Sequence, residues 1–199
     1  MGYRRGFKSE ANATAREIRA ELGLRDLDRL DPWALADHLL VPIVPLSDFG
    51  LDAPRALRHF TMVEMDAFSA VTVFEGPRRT IVHNDAHSQG RQASDVTHEL
   101  GHAVLLHDPT PALDDRGCRL WNQNVEDEAQ WLAGALLLTE DAALSIVRKG
   151  VAVAVAAQHF GISEQMVTYR LNVTGARKRV ARARRLWVVP DNPPEEYED

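Results

Sequence analysis

Val96-Thr97-His98-Glu99-Leu100-Gly101-His102-Ala103-Val104 carries two overlapping patterns, and they decide how this chain is read. Val96, Leu100, Ala103 and Val104 recur at the i, i+4, i+7, i+8 spacing of a helix with one buried stripe. His98 and His102 are four residues apart, so on that helix their side chains project from one face, one turn apart. The spacing predicts a helix from about 91 to 107, anchored by its apolar stripe, with both imidazoles bordering a cleft.

Two imidazoles so placed can bind one metal ion. Glu99 lies about 100° round the helix from His98, beside such an ion and not among its ligands. There its carboxylate can accept a proton from water, as metal-assisted peptide hydrolysis requires. The competing reading is a pair of solvated or core-satisfied histidines, and a third ligand decides between the two. His107 follows His102 by five residues, which in a continuous helix turns it about 140° away. It can join the site only if the helix breaks. The longer pattern H-E-x-x-H-x-x-G-x-x-H is absent, since Leu105 and Asp108 stand at its glycine and last histidine.

A second helix is expected from about Val125 to Leu138, and Glu126, Asp127 and Glu128 near its start are acidic candidates. Ala129, Leu132, Ala133, Leu136 and Leu137 form its buried stripe. Glu126 is in register with that stripe, whereas Asp127 and Glu128 are off it. Ala129 and Ala133 are small enough to let the two helices approach, carrying Glu126 into the interface. The competing role for Glu126 is a solvated acid favoured by the helix dipole.

Working outward, residues 9–23 have helical periodicity, and Asp31 and Pro32 suit the cap and first turn of a helix reaching about Leu40. Val41–Leu46 reads as an extended edge segment with two prolines, and 47–57 as loop. Ser69–Phe74 and Thr80–His83 read as the strands of a β-hairpin. Residues 108–123 are expected to be loop, and Thr139 suits the cap of a further helix. Residues 151–175 have a helix-turn-helix pattern, with Gly161 in the turn and Ser163 as a cap. The fold class is α+β: a small antiparallel or mixed sheet packed on helices.

The length of 199 residues suits one domain, and a net charge of −6 does not mark a nucleic-acid binder. The single Cys118 allows no internal disulfide. With no apolar leader and no long apolar run, a cytoplasmic protein without membrane contact is expected.

Thr97-His98-Glu99-Leu100-Gly101-His102-Ala103-Val104-Leu105-Leu106-His107, followed by Glu126-x-x-Ala129-x-x-Leu132-Ala133-x-x-Leu136-Leu137, resembles the ImmA/IrrE family of bacterial and phage metallopeptidases. The resemblance extends to Gly6–Glu10 with its following helix, to the hairpin, and to Asn84 with His87 and Ser88. Gln130, Leu132 and Thr139 depart from the family's usual Asn, Phe and Pro, and read as packing or capping positions.

The resemblance implies a zincin-like site with His98, His102 and Glu126 as metal ligands and Glu99 as general base. The expected ion is Zn2+, one per chain, with Mn2+ as a substitute. It further implies an endopeptidase that cleaves a helix-turn-helix (Xre-like) repressor, often encoded next door, and so relieves repression. His83, His87 and Tyr169 are candidates for oxyanion or substrate contact, and either hairpin strand is a candidate to pair with an extended substrate.

Residues 1–145 are then the catalytic core, 146–188 a C-terminal helical part of the same domain, and 189–199 a tail whose composition predicts disorder. A rival reading is a DNA-binding regulator or partner-binding protein. It would use the 151–175 segment, with Gln165 and Arg170 to read bases, and the basic run Arg177–Arg185 to contact phosphates.

Overall fold

The computed structural model of the chain describes residues 3–108 and 122–186. It is an α+β arrangement in which a three-stranded sheet lies against a helical body. Helix α1 runs over Phe7–Glu21 and α2 over Pro32–His38. The cap of α2 is the expected one: the Asp31 carboxylate accepts from the Trp33 N–H, and Pro32 opens the helix.

Strand β1, Ile43–Pro45, pairs in parallel with β3, Arg78–His83; β2, Ala70–Glu75, pairs antiparallel with β3. The sheet is therefore mixed, in the order β1-β3-β2. The hairpin turn is only Gly76-Pro77, tighter than the five residues its polarity suggested. Gly76 sits at φ 58°, as the first position of a type II′ turn requires.

Residues 47–57 are more ordered than a loop. A 3-10 turn spans Leu46–Gly50, α3 spans Pro54–Arg58, and a π-helical turn continues to Val63. The segment is short and lacks a sustained apolar period, so nothing local marked it as helical.

Two helices form the centre. Helix α4 covers Gln89–Val104 and α5 covers Gln123–Leu137. They pack along their length, with Val96, Leu100, Ala129, Leu132, Ala133 and Leu136 fully buried. A Cβ on Gly101 would stand 2.9 Å from the carbonyl oxygen of Ala129, so this crossing admits no side chain at that point. Helix α4 ends earlier than its periodicity suggests: Leu105 caps it, and Leu106 takes the left-handed conformation at φ 53°.

Helix α1 covers one side of α5. The buried Arg19 donates to the carbonyls of Leu136 at 2.6 Å, Asp28 at 2.6 Å and Arg25 at 2.7 Å. Past the C-terminus of α5, Thr139 caps α6, Glu140–Lys149, by accepting from Ala142 N–H. Helices α7, Val153–Phe160, and α8, Glu164–Val173, follow, joined through left-handed Gly161, with Ser163 accepting from Met166 N–H. Helix α9 spans Ala176–Leu186. Most of the segment expected as loop at 108–123, and the tail at 189–199, lie outside the described residues. Among the described residues, no single helix is long and apolar enough to cross a membrane.

The α4–α5 approach yields a stability prediction. Gly101→Ala gains about 1 kcal/mol in helix propensity, yet it forces a Cβ against backbone, an overpacking cost of about 1–3 kcal/mol. A net loss is expected as a lowered denaturant midpoint. A variant as stable as the parent would mean that the crossing is looser than described.

Candidate metal centre and cleft

His98 and His102 project from α4 towards the first turn of α5, where Glu126 meets them. His98 Nε2 lies 3.1 Å from Glu126 Oε2 and 3.1 Å from His102 Nε2, and His102 Nε2 lies 3.6 Å from Glu126 Oε2. One ligand atom from each of the three falls within 4.8 Å of the others. Bonds of about 2.0–2.1 Å to a tetrahedral ion put ligand atoms about 3.3 Å apart, so the spacing fits a zinc-sized ion, as does the two-imidazole, one-carboxylate donor set.

The charges agree with this picture. Hydrogen bonds from His102 and His98 hold the Glu126 carboxyl well below the usual carboxylate range, at about 2. Burial opposes the charged form of His98, but its contact with Glu126, aided by the nearby charge of Glu99, outweighs this and raises its pKa. The carboxylate is thus ionised and ready to ligate.

Each of the other two acids beside Glu126 goes elsewhere, as their register predicted. Asp127 accepts from Gln123 Nε2 at 2.7 Å, and Glu128 lies on the far side of His107. Glu99 points towards the sheet, where Thr72 Oγ1 on β2 donates to its Oε2 at 2.6 Å. Gln130, which read as a packing position, instead places Oε1 3.1 Å from His98 Nδ1 and accepts the proton that orients that ring. Nothing in the local pattern marked Thr72 or Gln130, because each acts across a gap between elements.

These residues line a cleft of about 1010 Å³. Ala70, Val71, Thr72 and Phe74 of β2 line it, as do Met166 and Tyr169 of α8. Strand β2 is an edge of the sheet, whereas β3 is paired on both sides, so the Thr80–His83 strand has no free edge to offer.

Tyr169 lines the cleft, and burial beside Tyr3 pushes its hydroxyl pKa up, so it stays protonated. His83 and His87, the other two candidates for oxyanion or substrate contact, are not among the residues that line the cleft. His83 is buried at the end of β3, its ring edge-on to Trp33 at 6.0 Å, and burial lowers its pKa. His87 Nε2–H donates to the Met65 carbonyl at 2.8 Å, fastening the 60–68 segment to the start of α4. Both precede α4 in the chain, and their rings turn into the body.

The rival base-reading role also loses a member. Arg170 is fully buried, its Nε donating to the Leu138 carbonyl at 2.8 Å beyond α5. Burial lowers its pKa to about 10.

Residues 53–172 match the family model Peptidase M78, described as the IrrE N-terminal-like domain. No curated protein matches the chain. The match spans more than half of the 199 residues, from α3 to α8, and the chain belongs to this peptidase family.

The centre predicts a metal requirement. Protein dialysed against buffer is expected to retain a stoichiometric divalent ion by elemental analysis, and both His98→Ala and Glu126→Ala to lose it. A full metal load in either variant would place the ion elsewhere.

Proposed function

We propose that this IrrE N-terminal-like peptidase is a zinc-dependent endopeptidase that cleaves a helix-turn-helix, Xre-like repressor and thereby relieves repression. The observation that carries the reading is the convergence of His98, His102 and Glu126 on one point, with Glu99 beside it in an open cleft. A repressor acts on DNA in the cytoplasm, so the protein is proposed to act there.

His98, His102 and Glu126 would hold the zinc, with manganese as a substitute ion. Bound zinc supplies Lewis acidity and lowers the pKa of water towards about 7. Glu99 takes the proton of the attacking water and then delivers it to the amine released from the scissile bond. Thr72 keeps the acting carboxylate oriented by donating to Oε2. Its place on the edge strand ties that orientation to the wall along which an extended peptide would add as a further strand. Tyr169 lines the cleft, but its hydroxyl is buried and turned towards Tyr3, so it is not assigned as donor to the developing oxyanion. Direct nucleic-acid contact is not part of the proposal.

The deciding experiment incubates zinc-loaded protein with an Xre-like repressor, taken from a neighbouring gene where one is encoded, and follows the fragments by mass spectrometry. Cleavage is expected, and Glu99→Gln is expected to retain metal while losing at least about 100-fold in rate. Unchanged cleavage by that variant would remove Glu99 as the base. Thr72→Val is expected to lower kcat about tenfold, from the ~1.5 kcal/mol of one hydrogen bond to a charged group. Metal content should stay at the parent level, so a loss of metal in this variant would contradict the assigned role.

A further inference from the structure

His107 lies just past the point where α4 breaks, and the break turns it back onto the metal helix. Leu106 accomplishes this by adopting φ 53° with its apolar side chain exposed to solvent, a conformation that a branched side chain avoids unless its surroundings impose it. His107 Nδ1 consequently lies 2.9 Å from His102 Nδ1, with the two rings edge-on at 5.0 Å.

Two ring nitrogens at that separation share one proton, and the direction is set by the rest of the site. His102 presents Nε2 to His98 and Glu126. An imidazole that commits its Nε2 lone pair to a ligand carries its proton on Nδ1. His102 therefore donates and His107 Nδ1 accepts. The proton of His107 is then on Nε2, which faces Glu128 Oε2 at 3.6 Å. Both side chains are shielded, His107 at 13% and Glu128 at 18% exposure. Arg4 Nε stands 3.9 Å from Glu128, and Arg4 is itself paired with Glu10 at 2.7 Å.

We propose that His107, backed by Glu128, is a positioning residue that sets the tautomer and ring orientation of His102 for metal binding. The inference rests on the reading of His98, His102 and Glu126 as ligands. It assigns His107 a place behind the centre instead of in it, and it brings Arg4 and Glu10, outside the family match, into contact with the same chain of groups. Gln130 does the equivalent for His98, so each imidazole has its outer nitrogen held by a different partner.

The test measures zinc affinity of the full chain by competition with a chromogenic chelator, for the parent, H107L, H107N and E128Q. H107L removes the acceptor at similar bulk and is expected to weaken binding about 10- to 100-fold. H107N, whose amide oxygen can accept from His102, is expected to stay within about fivefold of the parent, and E128Q to fall between. In cobalt-loaded protein the visible absorption should shift for H107L and return for H107N, a pattern that a merely structural role would not produce.

Parent-like affinity in H107L, or equal losses in H107L and H107N, would overturn the proposal. Should H107L fail to fold, H107N carries the test: near-parent affinity supports it and a loss of tenfold or more overturns it. A parent protein that binds no zinc would overturn the metal centre and this inference together, whereas a zinc-binding parent with an indifferent H107L overturns this inference alone.

Discussion

The close approach of α4 and α5 is the constraint on which the site depends. Helices with ordinary side chains at their contact pack with axes about 8–10 Å apart. The His98, His102 and Glu126 atoms that meet within 4.8 Å need the two helices held close. Gly101 against the Ala129 carbonyl provides it, one residue from His102 and three from Glu126. A larger side chain there would part the imidazoles from the carboxylate before it touched any of them.

Helices α1 and α8 brace α5 in that place. Arg19 of α1 and Arg170 of α8 each bury a guanidinium to reach a carbonyl at its C-terminal end, Leu136 and Leu138 respectively. Cations at that end also oppose the negative pole of the helix. Trp131, on the face of α5 towards α1, donates from its indole N–H to Asn12 Oδ1 at 3.2 Å and carries Lys8 over its ring. Helix α8 thus contributes twice: it lines the cleft through Met166 and Tyr169, and braces α5 through Arg170.

Across the cleft, the hairpin combines two tasks. Thr72 holds Glu99, and the same strand is one of the sheet's two edges. Any ligand that pairs with β2 presses on the strand that orients the carboxylate. In the proposed function, substrate pairing at that edge and the orientation of Glu99 are linked by a few residues of backbone.

Much of this was legible in the chain. Periodicity located α1, α4 and α5; two strand-like runs either side of Gly76-Pro77 located the hairpin; and short polar residues marked the caps at Asp31, Thr139 and Ser163. The register of Ala129, Ala133 and Leu136 selected Glu126 over its two acidic neighbours, and the structure brings that side chain to both histidines. These are properties of a helix or strand taken alone, set by 3.6- and two-residue repeats that neighbouring residues already encode. What the chain did not disclose is of another kind. Thr72, Gln130 and His107 touch His98, Glu99 or His102 from other elements or from beyond a break, and the α3 segment lacks any repeat. Such contacts depend on the distance and angle between packed elements and on one left-handed residue at Leu106. No local pattern encodes those quantities, and only the folded packing decides them.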